Sequence, residues 1–320
     1  MESADPYFRA QIRWRPLEIV FWAATLLPFL VTPNYLSLAS QIAITALFAL
    51  SLDLILGYAG IVSLGHAAYF GVGAYAAGLL AKHYWGEPLS GLVLAALMAG
   101  VVGYATSHIV VRFRHLALIM LTLGLGLLLH EAANSASGLT GGADGLQGIN
   151  VSSLLGFQFD LYGRTAYAYS LAVLFLCFLA ARRIIHSPFG LALRGIRENA
   201  TRMPAIGAPS RAHLRKVYTI AAVIAGIAGA VLAQTTETVS LETLSFGRSA
   251  DVLVILILGG AGRLYGGIIG AIIYMVARDQ FSGINPQYWY FWIGLLLVAV
   301  VMFLPNGILG GLSALHKKSK

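Results

Sequence analysis

Charge is what this sequence has least of. Only 11% of its 320 residues are Asp, Glu, Lys or Arg, where an average soluble domain carries about 25%, and so little charge cannot cover a water-facing surface. Polar stretches long enough to fold alone are missing as well. Apolar runs recur between residues 17 and 309, so one membrane domain replaces the roughly two soluble domains that the length alone would suggest. Cysteine is reduced to Cys177, inside the apolar run 170–181, which excludes an internal disulfide and reads as a packed or lipid-facing thiol. There is no phosphate-cradling G-x-x-x-x-G-K-[ST] loop, no G-x-S-x-G elbow, no zinc-spaced His or Cys set and no clustered acidic pair. The sequence therefore assigns this chain no catalytic residue, no metal ligand and no cofactor, and an enzyme is the reading with least support.

What is present is hydrophobic and basic. Hydrophobic residues make up 58% of the chain, the mean hydropathy is +0.78 and the formal net charge is +8. The positive residues fall between the apolar runs: Arg9, Arg13 and Arg15 before the first, Arg112 and Arg114 after a later one, the densest group over 182–216, and Lys317, Lys318 and Lys320 at the end. That placement follows the positive-inside bias of membrane proteins. No interleaving of basic and aromatic residues points to nucleic acid. The run 17–31 lacks a small-residue cleavage site and is followed by further spans, so it reads as a retained first helix and not a signal peptide.

Runs near the roughly 20 residues a spanning helix needs cover 17–31, 36–56, 61–81, 89–111, 116–136, 167–181, 217–233 and 290–309. The apolar stretch 252–277 is interrupted by Gly259, Gly260, Gly262, Gly266 and Gly267. With the N-terminal segment 1–16 on the cytoplasmic side, alternation places 112–115 and 182–216 inside, and 137–165 and 237–251 outside. The basic tail 310–320 returns to the inside only if 252–259 and 268–277 are the arms of a re-entrant hairpin. The expected fold is all-α: a polytopic membrane protein of about eight full transmembrane helices plus a broken, re-entrant helical segment. An eight-residue arm reaches only about 12 Å, which puts the glycine turn at membrane depth. Irregular backbone is tolerated there when it is buried in protein or lines a polar cavity. Close helix packing is the competing use of the same glycines.

A second irregular stretch, 57–66, carries Ser63, Gly65 and His66, whose backbone and side chains suit a polar cavity equally well as a backbone-bonded structural role. Each ionisable group at a helix centre costs about 2.5–3.5 kcal/mol. Asp53 lies near the inner end of its span, and His130 with Glu131 approach an outer helix end. These do not form the carboxylate chain of a proton relay. Outside, Thr140, Gly141 and Gly142 open a turn-rich loop suited to an external partner or to a plain surface loop. Inside, Leu193, Ile196 and Ala200 follow helical spacing with Arg194 and Arg197 on a neighbouring face, as a docking helix parallel to the membrane requires. A basic loop obeying the positive-inside bias is the alternative.

Several stretches taken together resemble the permease subunits of branched-chain amino acid ABC importers, the LivM-like branch in particular. They are GYAGIVSLGHAAYFGVGAYAAGLLA at 57–81, LTGGADGLQGI at 139–149, GLALRGIRENATRMPAIGA at 190–208, AGIAGAVLA at 225–233 and GGAGRLYGGIIGA at 259–271. The resemblance implies an ATP-binding cassette importer for branched-chain or other small hydrophobic amino acids in a bacterial inner membrane, both termini cytoplasmic. It implies a second related permease, two cytoplasmic ATPases that hold ATP and magnesium, and an extracytoplasmic binding protein. It further implies that 182–216 holds the ATPase-coupling loop, with Arg194, Arg197, Glu198, Asn199 and Gly207 matching the family pattern. Solute would pass near Ser63, Gly65, His66 and Gly259, Gly260, Gly262, Gly266 and Gly267, with the binding protein at Thr140, Gly141 and Gly142. Pro204 stands where related chains commonly carry glutamate, and Asp53 where asparagine is more familiar. A urea or short-amide importer, and a stand-alone channel or secondary transporter, are the rival functions.

Overall fold

The computed structural model describes residues 16–31, 33–153, 156, 163–304 and 307–311. The N-terminal arginines, the lysines of the tail and part of the 137–165 loop lie outside the described residues. Among the described residues the chain is helical, with a single isolated bridge between Leu146 and Val239 as its only β pairing.

The elements are α1 (Pro16–Ala24), α2 (Leu36–Asp53), α3 (Ala67–His83), α4 (Pro88–Val110), α5 (His115–Ser135), α6 (Arg164–Ile185), α7 (Pro188–Glu198), α8 (Ser210–Thr236), α9 (Phe246–Gly259), α10 (Gly266–Ile284) and α11 (Trp289–Phe303). Local chemistry sets several starts. Pro88 opens α4 and Pro188 opens α7, where the missing N–H of proline leaves no bond unmade. Ser187 and Ser245 cap α7 and α9 by accepting from the Gly190 and Arg248 amides at 3.4 and 3.2 Å. α2 runs on into a widened π turn, Leu54–Tyr58.

Among the described residues six helices are long and apolar enough to cross a membrane: α2 with its π turn, α4, α5, α6, α8 and the segment Trp289–Gly311. The two other expected spans are interrupted. The first breaks between α1 and a short turn, Pro28–Val31. The second is irregular over 59–66 and helical only from Ala67, because its backbone finds partners elsewhere: the Leu64 amide donates to Thr122 Oγ1 at 3.2 Å and the Ala67 amide to Ser249 Oγ at 3.0 Å.

α2 and α8 form the centre and are buried on most sides, with Phe48, Leu50, Tyr218 and Ala225 inaccessible. α3, α4, α6 and the pair α9–α10 surround them. Polar pins cross this core: Tyr69 hydroxyl shares hydrogen bonds with Thr106 at 2.7 Å and Tyr218 at 2.9 Å, and Gln234 accepts from Tyr169 and donates to the Pro88 carbonyl. Facing outward, α4, α5 and α11 expose Leu97, Val101, Leu128 and Val298, as helices against lipid or an apolar partner do. The Leu146–Val239 bridge marks one end of the bundle, and α7 lies at the other.

α9 and α10 are the broken segment expected from the glycines, with longer arms than expected, 14 and 19 residues against 8 and 10. The turn between them consequently lies beside Gly57 and Arg197, at the α7 end of the bundle. The expected loop 182–216 is also shorter, since α6 continues to Ile185 and α8 begins at Ser210.

Candidate functional site

At the α7 end, four residues distant in sequence meet. Leu193 and Ile196 bury the inner face of α7, as their spacing required, whereas Ala200, expected on the same face, lies past the end of the helix at Glu198. Arg197 reaches across so that its Nη1 donates to the Gly57 carbonyl, and the Arg194 guanidinium lies 5.3 Å from the centre of the Tyr58 ring. The π turn explains why the Gly57 carbonyl is available: a turn widened to i→i+5 bonding disturbs the regular ladder. One turn earlier, Asp53 Oδ1 accepts from the Gly262 amide at 2.6 Å. Gly262 holds φ +80°, and a Cβ there would press against Arg197 Nη1, so the hairpin turn fits between Asp53 and Arg197 only as glycine. Asp53 is 1% exposed, and its structural role is this bond to another element.

The outward side of this end is different. Glu198 is exposed. Asn199 Oδ1 accepts from the amides of Thr201 and Arg202 at 3.1 and 2.9 Å and so starts the short turn Arg202–Ala205 that contains Pro204. Gly207 is exposed with φ +85° and open space around it. Leu191 and Ile206 stand out at 56% and 69% exposure. All five coupling residues are exposed, and of them Arg194 and Arg197 reach the bundle through their guanidinium groups. A cavity of about 360 Å³ opens beside them, lined among others by Gly60, Arg112, Arg114, His115, Arg197 and Arg211.

The expected pathway residues fall into two groups. Ser63 and His66 are buried in the interior, Ser63 beside the Tyr218 hydroxyl and His66 stacked on Phe48 with ring centres 5.5 Å apart. Ser51 donates its single proton to the Phe48 carbonyl at 2.6 Å, so His66 Nε2–H is the donor in the 2.8 Å bond between them. Gly65 packs against the Thr122 carbonyl and Gly126 of α5. The hairpin glycines pack on one another: Gly259 and Gly270 face across the two arms, Gly266 meets Gly260, and Gly267 lies against the Ala49 and Leu50 backbone of α2. None of these residues lines the 360 Å³ cavity or the cavity between α2, α8, α9 and α10 described next.

At the opposite end, Thr140 is buried, donates to the Ala133 carbonyl at 2.5 Å and accepts from the Gly142 amide at 3.2 Å. Gly141 and Gly142 hold φ +80° and +56°, which shapes a compact corner joined to the α8–α9 connection by the Leu146–Val239 bridge. His130 and Glu131 sit just before this corner, and Glu131 is exposed.

A further polar group escaped the sequence reading. Arg248, Asp251 and Arg278 stand at the edges of the 252–277 run and read as loop residues. α9 in fact starts six residues before its expected arm, at Phe246, after a loop that descends along α3 to place Leu244 on Gly71, and α10 extends to Ile284. All three charges therefore lie on helices within the bundle. Tyr274 donates to Asp251 Oδ1 at 2.8 Å, and the guanidiniums of Arg248 and Arg278 lie 5.3 and 5.1 Å from the Phe70 and Trp289 rings. The signal available in the sequence was helical spacing: Tyr274 and Arg278 are four residues apart on one face.

Comparison with known proteins identifies the scaffold. Residues 34–301 match the model of the family described as branched-chain amino acid transport system / permease component. The high-affinity branched-chain amino acid transport system permease protein LivM of Escherichia coli (strain K12) is 29% identical over 305 residues, covering 88% of this chain and 71% of that protein. The probable branched-chain amino acid transport permease protein LivM of Methanocaldococcus jannaschii is 25% identical over 314 residues, covering 82% and 89%. No solved structure matches. The family match spans α2 to α11, taking in the hairpin and the α7 junction, and on that ground the chain belongs to the branched-chain amino acid transport permease family, a multi-pass membrane permease component and not itself an enzyme.

Proposed function

We propose that this chain is the permease subunit of an ATP-driven importer of branched-chain or similar small hydrophobic amino acids in a bacterial inner membrane. The substrate follows from the family and from the names of the relatives. The α7 end faces the cytoplasm, where Arg112, Arg114, Arg182, Arg183, Arg194, Arg197, Arg202, Arg211, Arg215 and Lys216 gather, and both termini lie on that side. Two cytoplasmic ATPases with ATP and magnesium, a second related permease and an extracytoplasmic binding protein complete the complex.

The observation that carries this reading is the two-sided character of α7. Its inner face is fastened to the π turn of α2 through Arg197 and Gly57. Its outer rim presents Leu191 and Glu198 to the surroundings, and Ile206, past the turn Arg202–Ala205, is exposed as well. Exposed apolar residues among charged ones are what a docking element offers to a protein groove. ATP binding on the partners moves this element, and the fastened inner face carries the motion into the spans, alternating access between the two sides. The Thr140–Gly142 corner at the other end receives the binding protein.

In vesicles holding the complete transporter, Glu198→Ala and Arg197→Ala each uncouple ATP hydrolysis from L-leucine uptake, the first by loosening docking and the second by releasing α7 from α2. Uptake at the wild-type rate in both variants refutes the coupling role. Leucine uptake by the chain without any ATPase refutes the ATP-driven reading, and uptake of urea in preference to leucine refutes the substrate class.

A further inference from the structure

Between α2, α8, α9 and α10 lies a polar cavity of about 200 Å³, lined among others by Thr45, Leu232, Thr243, Arg248, Met275 and Arg278. A separate space of about 10 Å³, which shares Thr45, Arg248, Met275 and Arg278 with it, adds Asp251 and Tyr274. Its depth follows from helix geometry. Thr45 is nine residues into α2, about 14 Å from the end of that helix, and Arg278 is six residues from the end of α10, about 9 Å. Arg278, and Asp251 five residues into α9, therefore stand inside the bundle, where ionisable side chains are expensive and mark ligand paths, with Arg248 two residues into α9 and nearer the helix end.

Their pairing is incomplete. Among the described residues neither Arg248 nor Arg278 has a carboxylate within ion-pair distance; each rests on an aromatic ring. Arg248 feels Asp251, Arg278 and Glu242 as its charged neighbours, so two like charges share one cavity with Asp251 below them and Glu242 at the rim. Such a set carries two cationic donors facing an opening, one anchored carboxylate and an apolar wall formed by Ile44, Leu232 and Met275. Guanidinium pairs bind a carboxylate through charge-assisted hydrogen bonds. A carboxylate nearby accepts an ammonium, and the apolar wall takes an aliphatic side chain.

We propose that this cavity is an intramembrane site for a zwitterionic α-amino acid: Arg248 and Arg278 hold its carboxylate, Asp251, oriented by Tyr274, receives its ammonium, and the wall of α2, α8 and α10 accepts its side chain. The assignment rests on the amino-acid importer reading and adds to it the place and charge pattern of recognition on this chain. The cavity lies toward the end of the bundle opposite α7, on the side where the Leu146–Val239 bridge joins the loops, so the solute meets it before the packed glycine hairpin.

The test uses the complete transporter in membrane vesicles with radiolabelled L-leucine. Arg248→Gln and Arg278→Gln lower uptake at subsaturating leucine by about ten- to a hundred-fold, with lysine variants retaining part of it. A second measurement stands whether or not the glutamine variants reach the membrane. In a Cys177→Ala background, Thr243→Cys is labelled by a small water-soluble thiol reagent. Saturating L-leucine slows that labelling about tenfold, whereas leucinol, which lacks the carboxylate, and 4-methylpentanoate, which lacks the ammonium, leave it unchanged. Wild-type uptake in both glutamine variants, no protection by leucine, or equal protection by the single-charge analogues overturns the assignment. If the wild-type transporter takes up no zwitterionic amino acid, the importer reading falls and the site with it; if it takes up leucine while the cavity variants match it, only the site falls.

Discussion

Gly259→Ala tests whether the hairpin glycines hold the bundle together or line a path. The added methyl would lie 2.6 Å from the Gly266 carbonyl carbon and 2.9 Å from the Gly270 amide nitrogen, and closer still to the Gly266 oxygen. All three are backbone atoms of the facing arm and cannot swing aside as a side-chain tip would. α9 and α10 must then separate by about 1 Å, enough to forfeit a quarter to a half of the dispersion between the atoms that part. Overpacking of this kind costs about 1–3 kcal/mol, against a gain of about 1 kcal/mol for replacing a helical glycine by alanine. Gly283→Ala, on the facing helix α10 but with open space around it, receives only that gain. The gain is common to both variants, so they should differ by the overpacking cost, about 1–3 kcal/mol. At roughly 2–4 °C per kcal/mol for a sizeable chain, the midpoint of thermal unfolding in detergent should be about 2–12 °C lower for Gly259→Ala, read at one fixed scan rate because unfolding is irreversible. Equal midpoints, with uptake lost only in Gly259→Ala, would refute the packing argument and return the turn to the solute path.

Asp53→Ala leaves the Gly262 amide without its acceptor and should lower stability by about 1–3 kcal/mol, while Asp53→Asn keeps an oxygen in place and retains most of it; equal losses in unfolding assays would contradict the bond's role. Glu18→Ala removes the partner of Arg182, an ion pair at 2.7 Å with side chains 6% and 19% exposed, and should cost about 1–3 kcal/mol and open α1 to proteolysis; an unchanged digestion pattern speaks against it as the clasp between α1 and α6. Thr140→Val loses both the donor to Ala133 and the acceptor for Gly142, about 1–2 kcal/mol, and should make the corner susceptible to nicking, whereas Thr140→Ser should protect it as the wild type does.

Much of this fold is legible in the sequence because lipid imposes a simple rule: apolar length becomes a helix, and a glycine cluster inside it becomes a break. The runs at 36–56, 89–111 and 116–136 become helices within a few residues of their expected ends. Residues 61–66 do not, since Ile61, Val62 and Leu64 look like the start of a span. What keeps them irregular are the hydroxyls of Thr122 and Ser249, 58 and 182 positions away from the amides they serve, a tertiary fact with no local trace. The hairpin was legible from its glycines and from the side to which the tail must return, but its depth was not. Charge is the usual marker of a helix end in a membrane protein, and Asp251 and Arg278 broke that rule by pairing with Tyr274 and Trp289 inside the bundle. The direction of Arg197 was equally hidden, because periodicity places it on a face of α7 but cannot say that the face meets a free carbonyl on α2.

That carbonyl gives α2 a particular place in any motion. Arg197 grips the turn Leu54–Tyr58 at Gly57, and Asp53 at the base of the same turn grips the hairpin at Gly262. A displacement of α7 therefore acts on α2 and on the α9–α10 turn together, through two hydrogen bonds separated by about one turn of helix. Glycine at 57 and at 262 keeps the three backbones in contact, and a methyl at Gly57 would meet the Gly262 Cα at 2.7 Å. From Asp53 the buried helix α2 continues eight residues, about 12 Å, to Thr45 in the wall of the polar cavity. Between those points it is packed too closely to bend without moving its neighbours, with Ala46, Ala49, Leu50 and Leu52 inaccessible. The widened π turn is where the helical ladder along this line departs from regular bonding. The junction, and not α7 alone, is then the element through which a displacement at the α7 end reaches α2 and the α9–α10 turn.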